Sequence, residues 1–305
     1  MAQETELGGY QIVGRLAVGG MAEVYQARPR PGAQRSSGEP DEVVLKRLLP
    51  AFRNDGAYVK QFVDEAKLTV RLRHPNIVRT FRCFKAGIDY LMVQELVAGR
   101  TLAYMQDLLR TAGSPMPPAA STYITWSLVK ALDYVHRAKV GEGGATIVHR
   151  DVNPANVLLS ISGDVKLTDF GVADVEGECR SEHGALRGTL PYMSPEQVLG
   201  HPLDQRSDLF SVGIIFWELF ANRRLYEGQG EAELMHRVRD ARVPLLSTVA
   251  PDVPEYAAQI ARKALFADRR LRFQTAAEFA KALELLAARN HWPLSVEALR
   301  PLLGG

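Results

Sequence analysis

Apolar and polar positions change rhythm about a third of the way along the chain. In the first part, short apolar runs are broken by Gly, Pro and charge, as half-buried strands joined by turns require. Residues 10–16 and 23–28 flank Gly19-Gly20 and predict a hairpin, while 77–84 and 90–96 predict two further strands. Residues 29–41, rich in Pro, Gly, Ser and charge, predict a loop ahead of a strand that carries Lys46. One stretch departs from this rhythm. In 58–72, Phe62, Ala66 and Val70 recur at helical spacing with Thr69 on the same side, which predicts an amphipathic helix.

Gly99 reads as a hinge, and from Thr101-Leu102 onward helical spacing dominates. Residues 121–136, 255–265 and 275–288 predict helices, the first ended by the Gly-rich run at 141–144. Residues 209–221 are almost wholly apolar around Glu218 and predict a helix buried on every side. An island of strand interrupts the helices: 157–159, the turn Ser162-Gly163-Asp164 and 165–167 read as a second hairpin. The pattern predicts an α+β chain, strand-rich first and helical afterwards.

Composition narrows the function classes. A chain of 305 residues, 46% of them hydrophobic, can bury one large core or two lobes. A net charge of +2 gives no electrostatic footprint for nucleic acid or a membrane surface. The run 209–221 is too short to span a bilayer, and the first residues lack the basic and apolar regions of a signal peptide. Cys83 and Cys179 are far apart with no C-x-x-C spacing, so neither a disulfide framework nor a zinc site is indicated. The expectation is a cytoplasmic enzyme.

Candidate chemistry gathers around the second hairpin. Asp151 and Asn156 precede it and Asp169 follows it, which places one candidate base and two hard-oxygen ligands on neighbouring loops. His149-Arg150-Asp151-Val152-Asn153-Pro154-Ala155-Asn156 and Asp169-Phe170-Gly171 resemble the catalytic and metal-binding loops of protein kinases. Other motifs follow in that family's order. The run from Leu16 to Tyr25 resembles its Gly-rich loop, Val43-Val44-Leu45-Lys46 its lysine strand, and Glu65 its αC glutamate. Gly188 to Glu196 resembles the substrate pocket and A-P-E element, and Asp208 the aspartate that opens the large helix. The resemblance spans roughly 10–288, and its wording is similar to bacterial eukaryotic-like serine/threonine kinases, notably Gly19-Gly20-Met21-Ala22-Glu23-Val24 and Ser194-Pro195-Glu196-Gln197.

The resemblance implies a two-lobed fold: a small β-rich N-lobe with one αC helix at 10–97, a mainly helical C-lobe at 98–288, and a C-terminal tail at 289–305. It implies ATP and Mg²⁺ or Mn²⁺ as cofactors and proteins bearing Ser or Thr as substrates, with a possible homodimer for trans-autophosphorylation. Leu16, Ala17, Val18, Gly19 and Gly20 would cover the nucleotide, and Val24, Val44 and Leu158 would hold the adenine. That base would pair with backbone groups of Glu95 and Val97, just past Gln94 at the gatekeeper position. Lys46, held by Glu65, would contact phosphates, Asn156 and Asp169 would hold metal, and Asp151 would take the hydroxyl proton. Arg150 would bind a phosphate on Ser181 as a regulatory contact. Ala155 and Thr189 stand where tyrosine kinases tend to carry Arg and Pro, which favours Ser/Thr. The rival reading is a pseudokinase used as a scaffold; retention of Lys46, Glu65, Asp151, Asn156 and Asp169 together weighs against it.

Three departures carry further expectations. Ala17 and Ala22 replace the first and third loop glycines, and a Cβ restricts φ > 0 and the approach of backbone to phosphate. Asn153 replaces a lysine that would meet the γ-phosphate and Thr189, so a slow enzyme is expected, one that gains kcat from Asn153→Lys. Thr69 and Thr80 stand with His149 and Phe170 in the family's regulatory spine, where two hydroxyls must find partners, each other being one option.

Overall fold

Strand alternation builds the first of the two units into which the chain divides, Met1–Val97 and Ala98–Gly305. The computed structural model describes residues 6–140, 145–171, 190–228 and 230–303. In the first unit, β1 (Glu6–Leu7), β2 (Tyr10–Val18), β3 (Ala22–Pro29), β4 (Val43–Leu48), β5 (Thr80–Ala86) and β6 (Asp89–Glu95) form one antiparallel sheet in the order β1-β2-β3-β4-β6-β5. Successive side chains point to opposite faces. One face buries Tyr10, Ala27, Val43, Leu45, Phe81, Leu91 and Val93; the other buries Ala22, Leu48 and Met92 against Phe62 and Ala66 of helix α1 (Gly56–Thr69). Lys46 lies two residues before Leu48 and therefore shares the helix-facing side.

Helix α1 is shifted toward the N-terminus relative to the predicted 58–72. The Asp55 carboxylate caps it by accepting from the backbone of Ala57 and Tyr58. At the other end Arg71 and Leu72 donate to Leu68 and Thr69, three residues back, so the final predicted turn tightens out of the helix. The predicted strand 77–84 is continuous only from Thr80; Ile77, a lone bridge residue, and Val78 are buried ahead of it.

In the second unit, β7 (Gly99–Thr101) pairs with β10 (Val157–Ser160), which pairs with β11 (Val165–Leu167). Gly99 is therefore a strand residue whose neighbour strand needs a glycine: a Cβ there would sit 1.9 Å from the Leu159 carbonyl oxygen. Helices α2 (Leu102–Thr111) and α3 (Pro118–Arg137) follow, then a short pair, β8 (Lys139–Val140) and β9 (Ala145–Thr146). The helix Gln205–Ala221 is buried from Ser207 through Phe220 and packs on α3, as its all-round apolar sequence predicts. The segment expected as a tail is folded onto this unit: Val296–Leu299 forms a helical turn against α3 with Leu299 fully buried, and Val296 abuts Gly163 of the second hairpin. No helix among the described residues is long and apolar enough to cross a membrane.

Candidate active site

Regular elements place the chemistry of the first unit. Lys46 sits in the sheet interior between Val24 and Met92, and its Nζ meets Glu65 Oε1 of α1 at 2.9 Å, with both side chains buried. The turn before β3 closes through Gly19, whose amide donates to the Ala22 carbonyl at 2.8 Å. Ala17 pairs with Val24 and Ala22 with Leu48, and neither adopts positive φ, so the two methyl groups bring no backbone strain. Leu16 and Val18 are exposed on the same strand, while Val44 is half-buried. Gln94 is buried and donates to the Thr80 hydroxyl at 3.3 Å. The Glu95 amide donates to the Arg79 carbonyl at 2.9 Å and its carboxylate accepts from the Arg79 amide at 3.0 Å. Val97, half-buried, ends this unit.

The Thr69 and Thr80 hydroxyls find partners, as expected, though not each other. Thr69 donates to the Glu65 carbonyl at 2.9 Å, one turn back in its own helix, and Thr80 accepts from Gln94. A helical threonine reaches the carbonyl four residues earlier with little rearrangement, so each hydroxyl is satisfied locally.

In the second unit the chemistry rests on loops. Arg150 and Asp169 hold φ of 68° and 57°, left-handed backbone that residues other than glycine seldom adopt. Asp208, near the start of the helix Gln205–Ala221, accepts from the amides of His149 and Arg150 and from His136 Nε2, each at 2.8 Å. Burial would raise its carboxyl, but the His136 hydrogen bond and the neighbouring imidazoles hold it below the usual carboxylate range. The Gly171 amide donates to the His149 carbonyl at 3.0 Å, and the Thr168 amide to the Asn156 carbonyl at 3.0 Å. These two bonds tie the loop of Asp151 and Asn156 to the loop of Asp169. The His149 ring packs at a tilt against Phe170, with centroids 4.4 Å apart, and donates from Nε2 to the Thr168 carbonyl at 3.2 Å. Burial lowers the His149 pKa against the pull of Asp208 and Asp151.

Two amides hold the Asp151 carboxylate. Asn153 Nδ2 donates to Oδ1 and Asn156 Nδ2 to Oδ2, both at 2.8 Å. Burial pushes this carboxyl up, while His149 and the two amides pull it down. Asn156 keeps its side-chain Oδ1 out of the described hydrogen bonds, and with the Asp169 carboxylate it supplies two hard-oxygen donors on the tied loops. Among the described residues no cluster of three His, Cys, Asp or Glu could hold a metal by itself. A donor pair fits Mg²⁺, which commonly takes one or two protein ligands and completes its shell with phosphate and water.

Asn153 has two local duties that bear on the expectation built on its missing lysine. Its Oδ1 accepts from the amides of Ala155 and Asn156 and so caps the short helix Pro154–Asn156, while its Nδ2 is committed to Asp151. The residue is buried and both ends of the amide are used. A lysine has no acceptor with which to replace the cap.

The segment after this loop is anchored on the same unit. Tyr192 donates to Glu218 Oε2 at 2.8 Å, and Ser211 donates to the Tyr192 carbonyl at 2.7 Å. Glu218, read from sequence as a core-helix residue, thus receives a hydroxyl and also the Leu225 amide at 3.0 Å. Glu196 meets fully buried Arg272 at 2.7 and 2.9 Å. Gln197 reaches the Arg150 carbonyl at 2.7 Å. Sequence reasoning missed Arg272 and Gln197 as partners. A signal for Gln197 existed, since Ser194-Pro195-Glu196-Gln197 has the S-x-x-Q spacing of a capping box. Leu158, expected against adenine, is half-buried in β10. Gly188, Thr189, Ser181 and Cys179 lie outside the described residues.

Known proteins resemble the chain throughout this arrangement. The tyrosine-protein kinase MasK of Myxococcus xanthus is 32% identical over 93% of the chain and 44% of its own length. The serine/threonine-protein kinase PrkC of Bacillus subtilis is 31% identical over 88% of the chain and 39% of its own length. The chain thus spans less than half of either relative. The crystal structure of the Mycobacterium tuberculosis PknI kinase domain matches with a TM-score of 0.68 at 27% identity, covering 93% of this chain and 99% of that one. A family profile described as protein kinase domain matches residues 10–283, which takes in the sheet with Lys46, both loops and the segment around Glu196. By fold, by motif order and by this match, the chain belongs to the protein kinase domain family.

Proposed function

We propose that this chain transfers the γ-phosphate of ATP to serine and threonine hydroxyls of proteins, working in the cytoplasm where ATP is abundant. The observation that carries the reading is the pair of backbone bonds, Gly171 to His149 and Thr168 to Asn156, that holds a candidate base and two metal donors in fixed register. Phosphoryl transfer needs positioning and charge neutralisation more than covalent chemistry from the protein. When bound, MgATP supplies the transferable group and the cation that neutralises its charge. Lys46, kept oriented by Glu65, binds phosphate oxygens. Asn156 Oδ1 and the Asp169 carboxylate would hold the metal. Asp151 orients the acceptor hydroxyl and takes its proton, its carboxylate fixed by Asn153. The Glu95 carbonyl and Val97 amide are the backbone groups assigned to adenine, since the Glu95 amide is already committed to Arg79.

A pseudokinase is disfavoured because it has no need of a buried Lys46–Glu65 pair and a restrained Asp151 together. Exposed Ala155 supports the choice of aliphatic hydroxyls, while the relative named a tyrosine kinase makes that choice the point to test. The protein incubated with radiolabelled ATP and Mg²⁺, then hydrolysed, is expected to yield phosphoserine or phosphothreonine. Label found only in phosphotyrosine overturns the substrate class and leaves the transfer reading standing.

A further inference from the structure

Arg150 holds a left-handed backbone, φ 68°, directly before the candidate base. Such a conformation persists only where the surroundings over-determine it. Its amide is fixed by Asp208 Oδ1 at 2.8 Å, and its carbonyl accepts from Gln197 Nε2 at 2.7 Å. The carbonyl of residue 150 and the amide of residue 151 belong to one planar peptide unit. Holding that oxygen therefore fixes the plane from which Asp151 hangs. Among the described residues the Asp151 amide makes a long contact with His149 Nδ1, at 3.3 Å, so Gln197 is the shorter of these two restraints on the peptide.

The orientation of the Gln197 amide follows from its other end. Its Oε1 accepts from the Ser194 amide at 2.9 Å, and the Ser194 hydroxyl accepts from the Gln197 amide at 3.3 Å, completing a capping box. Only the NH₂ end is left to face a carbonyl. One buried side chain thus closes the helix start that follows the Leu190–Tyr192 segment and pins the peptide before Asp151.

We infer that Gln197 is a positioning residue for phosphoryl transfer, linking the segment around Ser194 to the backbone that carries Asp151. The inference rests on the kinase reading of Asp151. Gln197→Glu separates the two duties of the side chain. Glutamate is the other residue that completes a capping box at this position, so the cap survives, but a carboxylate cannot donate to the Arg150 carbonyl. Gln197→Met removes the donor without adding charge.

The full chain and both variants are compared by thermal unfolding and by initial rates of autophosphorylation and of transfer to myelin basic protein, with ATP varied. The expected result for Gln197→Glu is a folded protein with the helix cap kept and a lowered melting temperature, since a carboxylate then faces the Arg150 carbonyl, with kcat lower by about tenfold or more and KM for ATP within about twofold. Gln197→Met is expected to lose kcat to a similar degree while also melting lower. Wild-type kcat in whichever variant folds overturns the inference and reduces Gln197 to a helix cap. A wild-type chain that transfers no phosphate overturns the kinase reading, and this inference with it.

Discussion

The two units solve the same problem, holding a charged side chain where it can act, by different means. In the first, Lys46 and Glu65 project from a strand and a helix whose own hydrogen bonds and apolar faces set their direction, and a contact at 2.9 Å joins them. In the second, Asp151 and Asp169 sit on loops beside residues of positive φ or in that conformation themselves. Those loops are held from positions far along the chain, by Asp208, Gln197 and Gly171. Regular secondary structure specifies itself; a strained loop is specified by what surrounds it. Chemistry in the first unit should therefore be separable from stability, whereas chemistry in the second should not.

The sharpest break of that contrast pairs two variants. Asp208→Ala strips the partner from two backbone amides and from buried His136, and is expected to cost about 3–5 kcal/mol of stability in denaturant unfolding, with loss of transfer. The double variant Lys46→Met, Glu65→Leu replaces a buried ion pair by apolar groups of similar volume. It is expected to stay within about 1 kcal/mol of wild type while losing phosphate transfer, because such replacements are often neutral in stability. A double variant as destabilised as Asp208→Ala would erase the distinction between the units.

Gly99→Ala sharpens the comparison at intermediate size. The added methyl meets the Leu159 carbonyl oxygen, so overpacking is expected to cost about 1–3 kcal/mol in the same unfolding measurement. Wild-type stability would mean that β7 moves away from β10 easily.

Asn153→Lys is expected to have the smallest effect. It removes the cap from Pro154–Asn156, worth about 1 kcal/mol, and puts an ammonium donor in place of the amide on Asp151, so kcat should fall several-fold with KM for ATP little changed. A rise in kcat in steady-state assays would restore the idea that a cation is missing here.

Sequence made the first unit's site legible because its residues lie on periodic elements. Lys46 falls in an alternating strand and Glu65 on the apolar-striped helix, and the fold joins them along that register. The second hairpin was legible for the same reason, with β10 and β11 flanking the turn at Gly163. What sequence left hidden are contacts without period. Nothing local shows that Gln197 reaches Arg150 or that Arg272 is buried on Glu196, since both bridge segments remote in the chain. Asn153 was legible only in part for a related reason: a motif comparison registers the lysine that is absent, whereas the cap on Pro154–Asn156 becomes visible only when the loop closes. The folded-back segment at 296–303 was unreadable as well, because its short apolar turn carries no pattern that distinguishes it from an extension.

The central claim, that Asp151 acts in phosphoryl transfer and is not merely a satisfied buried carboxylate, is tested most directly by Asp151→Asn. This near-isosteric change keeps an acceptor oxygen for one amide while removing the base. Transfer from radiolabelled ATP in a single turnover is expected to fall by about 10²–10⁴-fold, with nucleotide binding retained in a calorimetric titration. Transfer at the wild-type rate by a folded Asp151→Asn protein would contradict the account.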